Sequence, residues 1–528
     1  MNPSIFVRTF IPGLFIGTAF FLAGCSTDSS GDYRLTTSVI PQEGGTVTPS
    51  SGTYEQGTRV EIIAVPAEGF FFERWEGDVI GDENPVTIAF YGNRRATAVF
   101  SIIPPPAFTE GDGSAGNPYR VSTIGQLQAI DDPKYLDKHF IQVSDIDASP
   151  SAEFQHGSGF KHIGDRETPF TGSYNGNGFL IRDLHLHIQR SSDQHTGIFG
   201  MIQNARLENI TIDNSEQLER LKERVNQQYA KVVDGFHGEP LPPQYLDLSS
   251  ARGIGGLAGF NDGGTIINCR FVGHVRVAIS SGAGGMAGIN TGLIENSHFE
   301  GYISGGGANG LASVNTGKIT HSSFSGIVSG LDSATGLVSL NYGGEISHSV
   351  AQGSIAGNLV AAGFVGRNEG GRIYASYTIG ELAGSGEVAG FVHINNGEIT
   401  DSYSQIMIDA IPVQDLNPFV VSGFVHENQH NGMISTSYMS GEITVPDDID
   451  DVAGFSIDNQ GTITASYWDI ETTGQSQSVG EGNPEGATGL TTGQMTGPAA
   501  QANMPEFDWQ TVWRTTDGYP VLRWQGDE

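Results

Sequence analysis

Gly255-Gly256-Leu257-Ala258-Gly259-Phe260-Asn261 returns as Gly284-Gly285-Met286-Ala287-Gly288-Ile289-Asn290 and again as Ala362-Gly363-Phe364-Val365-Gly366-Arg367-Asn368. A Gly with Asn five positions later occurs eight times in this part of the chain. The pairs are Gly256/Asn261, Gly285/Asn290, Gly310/Asn315, Gly336/Asn341, Gly363/Asn368, Gly390/Asn395, Gly423/Asn428 and Gly454/Asn459. Successive asparagines lie 29, 25, 26, 27, 27, 33 and 31 residues apart. The residue after the Gly is always large and apolar: Leu257, Met286, Leu311, Leu337, Phe364, Phe391, Phe424 and Phe455. Downstream, each copy carries Ile three residues before Ser or Cys, from Ile266/Cys269 to Ile463/Ser466. Phe or Tyr follows within two residues in seven copies, and the fourth has Val350-Ala351.

A unit of this length holds two or three strand-length apolar stretches between Gly turns, too few to bury a core of its own. Stacking such units as coils about 4.8 Å apart pairs each backbone group with the coil above and below. The recurrent apolar residue then forms an inward column. The asparagines Asn261, Asn290, Asn315, Asn341, Asn368, Asn395, Asn428 and Asn459 form a ladder of side-chain amides at a turn. The Gly ahead of the apolar residue permits a backbone angle or a close coil approach that Cβ would forbid. The fold class is therefore all-β: a parallel β-solenoid (β-helix) preceded by a small β domain, with a short helical insertion. On this reading the Gly, Asn and Ser columns build the coil and do not catalyse.

Composition agrees. The chain has 528 residues, 74 of them Gly, and only 16% are charged. Glycine without a Gly-X-Y period excludes collagen, and 38% apolar residues argue against wholesale disorder. The formal charge of −33 excludes a nucleic-acid backbone as partner.

Arg8 precedes a mostly apolar run from Phe10 to Phe21, followed by Leu22-Ala23-Gly24-Cys25. That pattern reads as an export signal too short to span a bilayer comfortably. The placement of Cys25 resembles the bacterial lipobox. The resemblance implies cleavage after residue 24 and lipid attachment at Cys25, with Ser26 directing delivery to the outer membrane. Residues 25–32 then form a flexible tether. With Cys25 acylated, Cys269 is the lone remaining cysteine, placed where other repeats carry Ser, and is expected to be a core residue.

From Tyr33 to Phe100 short β-branched runs alternate with Gly and Pro turns, and Phe70, Phe72, Trp75 and Phe90 supply an aromatic core. Gly44-Gly45-Thr46-Val47, Tyr54-Glu55-Gln56-Gly57 and Phe72-Glu73-Arg74-Trp75-Glu76-Gly77 resemble the divergent internalin B-repeat family. The domain is placed at 33–101, and Pro104-Pro105-Pro106 makes 102–108 a semi-rigid linker. The repeats quoted first, over 252–467, resemble the GLUG-motif repeats of bacterial surface proteins. Residues 109–213, with Phe170-Thr171-Gly172-Ser173-Tyr174-Asn175-Gly176 and Thr196-Gly197-Ile198-Phe199-Gly200, are similar to opening coils of that family. Residues 468–528 resemble its closing segment, with Trp509, Trp513 and Trp524 expected to cover the open end of the stack. The resemblance implies a solenoid in a surface or adhesive protein. One departure is the charged stretch 214–251, where Leu218, Leu221, Val225, Tyr229 and Val232 fall at helical spacing. It suits a helix packed on the solenoid side, or a protrusion that binds a partner.

Chemistry-bearing residues are few. His426-Glu427-Asn428-Gln429-His430 is a literal H-E-x-x-H, which serves zinc only on a helix. Here Asn428 belongs to the ladder and His430-Asn431-Gly432 reads as a turn, so no catalytic or metal residue is assigned. Pro446-Asp447-Asp448-Ile449-Asp450-Asp451 is a solvated acidic loop, and Ca²⁺ there is the sole cofactor the sequence suggests. His185 and His187 share a strand face and with His195 offer a metal clamp, although exposed strand histidines are commoner. No carboxylate set is expected to stack in adjacent coils, which argues against a polysaccharide lyase or hydrolase. The sequence thus points to a non-enzymatic, lipid-anchored adhesin or matrix-binding protein. It would sit at the outer membrane through its N-terminal lipid and take a glycan or an extracellular matrix ligand. A carbohydrate-active enzyme and a periplasmic structural lipoprotein are the alternatives.

Overall fold

The computed structural model describes residues 31–67, 70–102, 107–157, 159–186, 195–219, 253–276, 282–410, 419–446, 449 and 451–526. Cys25 and its signal, Pro104–Pro106, and 220–251 of the charged insertion lie outside them; the insertion's described start, 215–219, is helical and buries Leu218. The chain divides into two compact units, Met1–Pro106 and Ala107–Glu528.

The first unit is a pair of small sheets. One runs Gly52–Glu55, Asp32–Ile40, Arg94–Ile102, Phe70–Gly77, and the other Gly45–Thr48, Arg59–Pro66, Val86–Ala89. Alternation in each strand sends one face inward, so Leu35, Ile62, Trp75, Phe90, Ala98 and Phe100 are buried together. Phe70 and Phe72 line this core without being fully covered.

The second unit is a right-through parallel stack of coils. Two long parallel sheets carry it, one of 19 strands and one of 20. One coil shows the plan: Ala312–Asn315, then Lys318–Thr320, then the long strand Ser323–Thr335. Each strand pairs in register with its counterparts in the preceding and following coils, so Asn290 lies beside Asn315 and Asn315 beside Asn341. Fully buried apolar side chains from every coil merge into one continuous core.

Three columns shape the coil. At the first turn, Asn261 Nδ2 donates to Asn290 Oδ1 at 2.7 Å, and the same bond repeats coil by coil to Asn459. At the second turn, single residues take left-handed backbone angles, with φ between 44° and 54° in Asn209, Asn268, Asn296, His321, His348, Ala375, Asp401, Thr436 and Ala465. From Asn268 onward the next residue is Ser, or Cys269, and from Cys269 to Ser437 its backbone N–H donates to the Ser Oγ of the following coil at 3.1–3.4 Å. At the third turn the repeated Gly sits where an added Cβ would lie 1.9–2.4 Å from the carbonyl oxygen of the next coil's Gly, as at Gly256, Gly310 and Gly390. Close approach, not a special φ, fixes that glycine.

Core volume is shared between two columns. Where the residue after the Gly is Leu257, Met286 or Leu311, the inward residue two after the Ser column is Phe271, Phe299 or Phe324. Where it is Phe364, Phe391, Phe424 or Phe455, the partner column holds Thr378, Ser404, Met439 or Trp468. The downstream aromatics accordingly split into two kinds. Phe271, Phe299 and Phe324 point inward, whereas Tyr377, Tyr403 and Tyr438, one residue earlier in register, stack outside the coil at 4.8 and 5.0 Å. A shift of one residue in a strand reverses its face.

That outer tyrosine file receives the C-terminal segment. Trp524 Nε1 donates to the carbonyl of Ala375 at 2.8 Å, Trp513 Nε1 donates to Asp401 at 3.1 Å, and Tyr438 donates to the carbonyl of Pro520 at 2.6 Å. Trp513 and Trp524 therefore cover the flank of the stack, not its open end, because the outward tyrosines offer an apolar strip that needs covering.

Candidate functional site

The H-E-x-x-H stretch lies on strand Val425–Asn428 and the turn after it, so the helix needed to bring both histidines to one zinc is not formed. Asn428 takes its place in the amide ladder, and His430 is exposed in the turn. His426 does something else. Its ring stacks on that of His393 in the preceding coil, with centroids 4.9 Å apart and planes 21° from parallel. His393 Nε2 lies 2.7 Å from Glu387 Oε2. One ligand-capable atom from each of Glu387, His393 and His426 lies within 4.8 Å of the other two.

The coil geometry produces this juxtaposition. Val392 and Val425 are register partners, so the residues after them, His393 and His426, stand one above the other. Other coils hold Gly259, Gly288, Ser313, Ser339, Gly366 and Ile457 at that place. Glu387 opens the strand that leads into the Gly390 turn, in a column otherwise holding Gly282, Gly307, Ser333, Val360 and Val420. The turn folds the two strands toward each other and brings carboxylate and imidazoles to one corner. His393 is buried, Glu387 and His426 are half-buried, and His426 Nδ1 is shut from solvent with no hydrogen-bond partner. The hydrogen bond from His393 holds Glu387 below the usual carboxylate range. Burial, reinforced by His393, pushes His426 down to about 4.

Sequence reading singled out His426 for the wrong partner and missed Glu387. The usable signal was the repeat itself: two consecutive coils put His where all others put Gly, Ser or Ile. A second column was also missed. Glu427, Asp458 and Glu481 are register partners in successive coils, which corrects the expectation that no carboxylates stack. Elsewhere, Lys318–Glu345 and Arg372–Glu398 alternate sign within one column and pair across coils.

The remaining candidates separate. His185 Nδ1 lies 3.0 Å from the carbonyl of Asp183, His195 sits edge-on to Phe260 at 5.1 Å, and His187 lies outside the described residues. In the acidic loop, Asp447, Asp448 and Asp450 likewise lie outside them. Burial pushes the Cys269 thiol up to about 12, so it stays a protonated core group.

Comparison with known proteins gives two family matches: the divergent InlB B-repeat domain over residues 35–104 and the GLUG motif over 250–276. Halomucin from Haloquadratum walsbyi is 37% identical over 113 residues, 21% of this chain and 1% of that protein. A protein assigned as a Gly-rich membrane protein in Evansella cellulosilytica is 32% identical over 108 residues, 20% of this chain and 12% of that one. The chain thus spans a small part of each relative. A candidate immunoglobulin A1 protease from Bacteroides ovatus aligns in structure with a TM-score of 0.35 and 16% identity, over 79% of this chain and 96% of that one.

Proposed function

We propose that this chain is a surface-displayed, non-enzymatic β-solenoid that binds a glycan or an extracellular matrix ligand along its flank. The two uninterrupted parallel sheets carry the reading, because they offer a long, repeated, rigid outer face on which one shallow contact can recur from coil to coil. The name of the Evansella relative, a membrane protein, supports placement at a membrane. Anchoring through a lipid on Cys25 at the outer membrane completes the proposal. A binding screen of the full chain against glycans and matrix proteins tests it. Saturable binding to one class is expected, and the absence of binding to any would overturn it. Protease treatment of intact cells checks exposure: a periplasmic protein survives, a displayed one does not.

The stacked Glu427, Asp458 and Glu481 favour a second reading, a polysaccharide-cleaving enzyme, since acid and base carboxylates on one face are what such chemistry requires. Release of oligosaccharides that stops in Glu427→Gln or Asp458→Asn would establish it over the first.

A further inference from the structure

We propose that Glu387, His393 and His426 form a binding site for a divalent transition metal of the zinc class, joining two consecutive coils. The first ground is composition. Two imidazole nitrogens with one carboxylate select zinc and its neighbours over calcium or magnesium, which prefer all-oxygen sites. The second is geometry. Tetrahedral ligands at about 2.0–2.2 Å from a metal stand about 3.3–3.5 Å from one another. The three side chains already converge to within 4.8 Å, with one pair at 2.7 Å, so closing on an ion takes side-chain rotation and no movement of the coil. The third is the orphaned atom: His426 Nδ1 is buried with no partner, a cost that ligation through that nitrogen would remove.

The repeat supplies an internal control. The two positions that carry His here are Gly, Ser or Ile in the other coils, and those coils fold by the same plan. Folding of a coil thus needs neither histidine, and the ladder and core columns do not use them. Three protein ligands leave a fourth position for water or for an anionic group of a bound molecule. The Glu387–His393 contact orients the imidazole in the metal-free protein, as carboxylates do for ligating histidines.

The test is a zinc titration of the chelator-treated full chain, with cobalt as a spectroscopic substitute. One equivalent of zinc is expected, with the visible bands of tetrahedral cobalt. Glu387→Gln and His426→Gln should each weaken binding about 100-fold or more, while His185→Gln leaves it unchanged. The variants' metal-free circular dichroism and melting should match those of the parent. X-ray absorption on the zinc-loaded parent gives a readout that needs no variant: two imidazoles and oxygen in the first shell are expected. No stoichiometric site, a shell with fewer than two imidazoles, or affinity unchanged in both ligand variants would overturn the proposal.

Discussion

Replacing Asn341 by Ala removes a rung from the middle of the amide ladder. Asn315 Nδ2 donates to Asn341 Oδ1 at 2.8 Å, and Asn341 Nδ2 donates to Asn368 Oδ1 at 2.9 Å and to the carbonyl of Gly344 at 3.0 Å. The truncation strands one buried donor hydrogen on Asn315 and one buried acceptor on Asn368. Each unsatisfied group costs about 1–3 kcal/mol, so the loss should be about 4 kcal/mol. Asn261 begins the file and differs in one respect: its Oδ1 has no partner. Asn261→Ala therefore strands a single acceptor, on Asn290, and removes one orphan, for a loss of about 1 kcal/mol. Chemically identical substitutions should thus differ by about 3 kcal/mol according to their place in the file. Denaturant midpoints with unchanged slope measure this, and hydrogen exchange at the turn amides localises it, since a repeat array need not unfold in one step. Equal losses at the two positions would refute the reasoning.

Four further outcomes are expected. Phe391 stacks between Phe364 at 4.7 Å and Phe424 at 4.8 Å, so Phe391→Ala should cost about 3–5 kcal/mol in unfolding experiments. Phe391→Leu with Ser404→Phe, which copies the early coils, should be more stable than the sum of the single changes by at least about 1 kcal/mol. Burial pushes His274 down to about 3 from 6.5, so above pH 6.5 it contributes nothing to the pH dependence. As pH falls below 6.5 the unfolded chain takes up a proton that the folded one refuses, and stability drops by about 2 kcal/mol by pH 5. His274→Gln should flatten that slope, as denaturant midpoints at pH 7 and pH 5 will show. Trp524→Ala loses the bond to Ala375 and the contacts with His348 and Tyr377. The C-terminal segment should then be cut by limited proteolysis while the coils persist.

The coil was legible because its period is imposed by backbone pairing, which forces equivalent residues into columns; Gly256 to Asn459 could be aligned by eye. The left-handed second turn was not, since Asn268 and Asn296 signal such an angle but His321, Ala375 and Thr436 do not. The outward turn of Tyr377 and Tyr403 hinged on a single-residue offset from the Ser column, which matters only once the strand is known to begin there. The Glu387 corner was hidden for a different reason. Its members are six and 33 residues from His393, and what joins them is a turn geometry and a coil spacing, neither of which any local motif records.

Pulsed electron spin distance measurements between labels on one register column bear most directly on the stack. Lys318, Glu345, Arg372, Glu398, Met433 and Thr462 are successive partners, and Arg206 stands three coils before Lys318. At about 4.8 Å per coil, labels at Lys318/Met433, Lys318/Thr462 and Arg206/Thr462 should lie about 19, 24 and 38 Å apart. Distances that rise linearly with coil number are the predicted result. Distances that follow sequence separation instead, or that scatter, would contradict the stack.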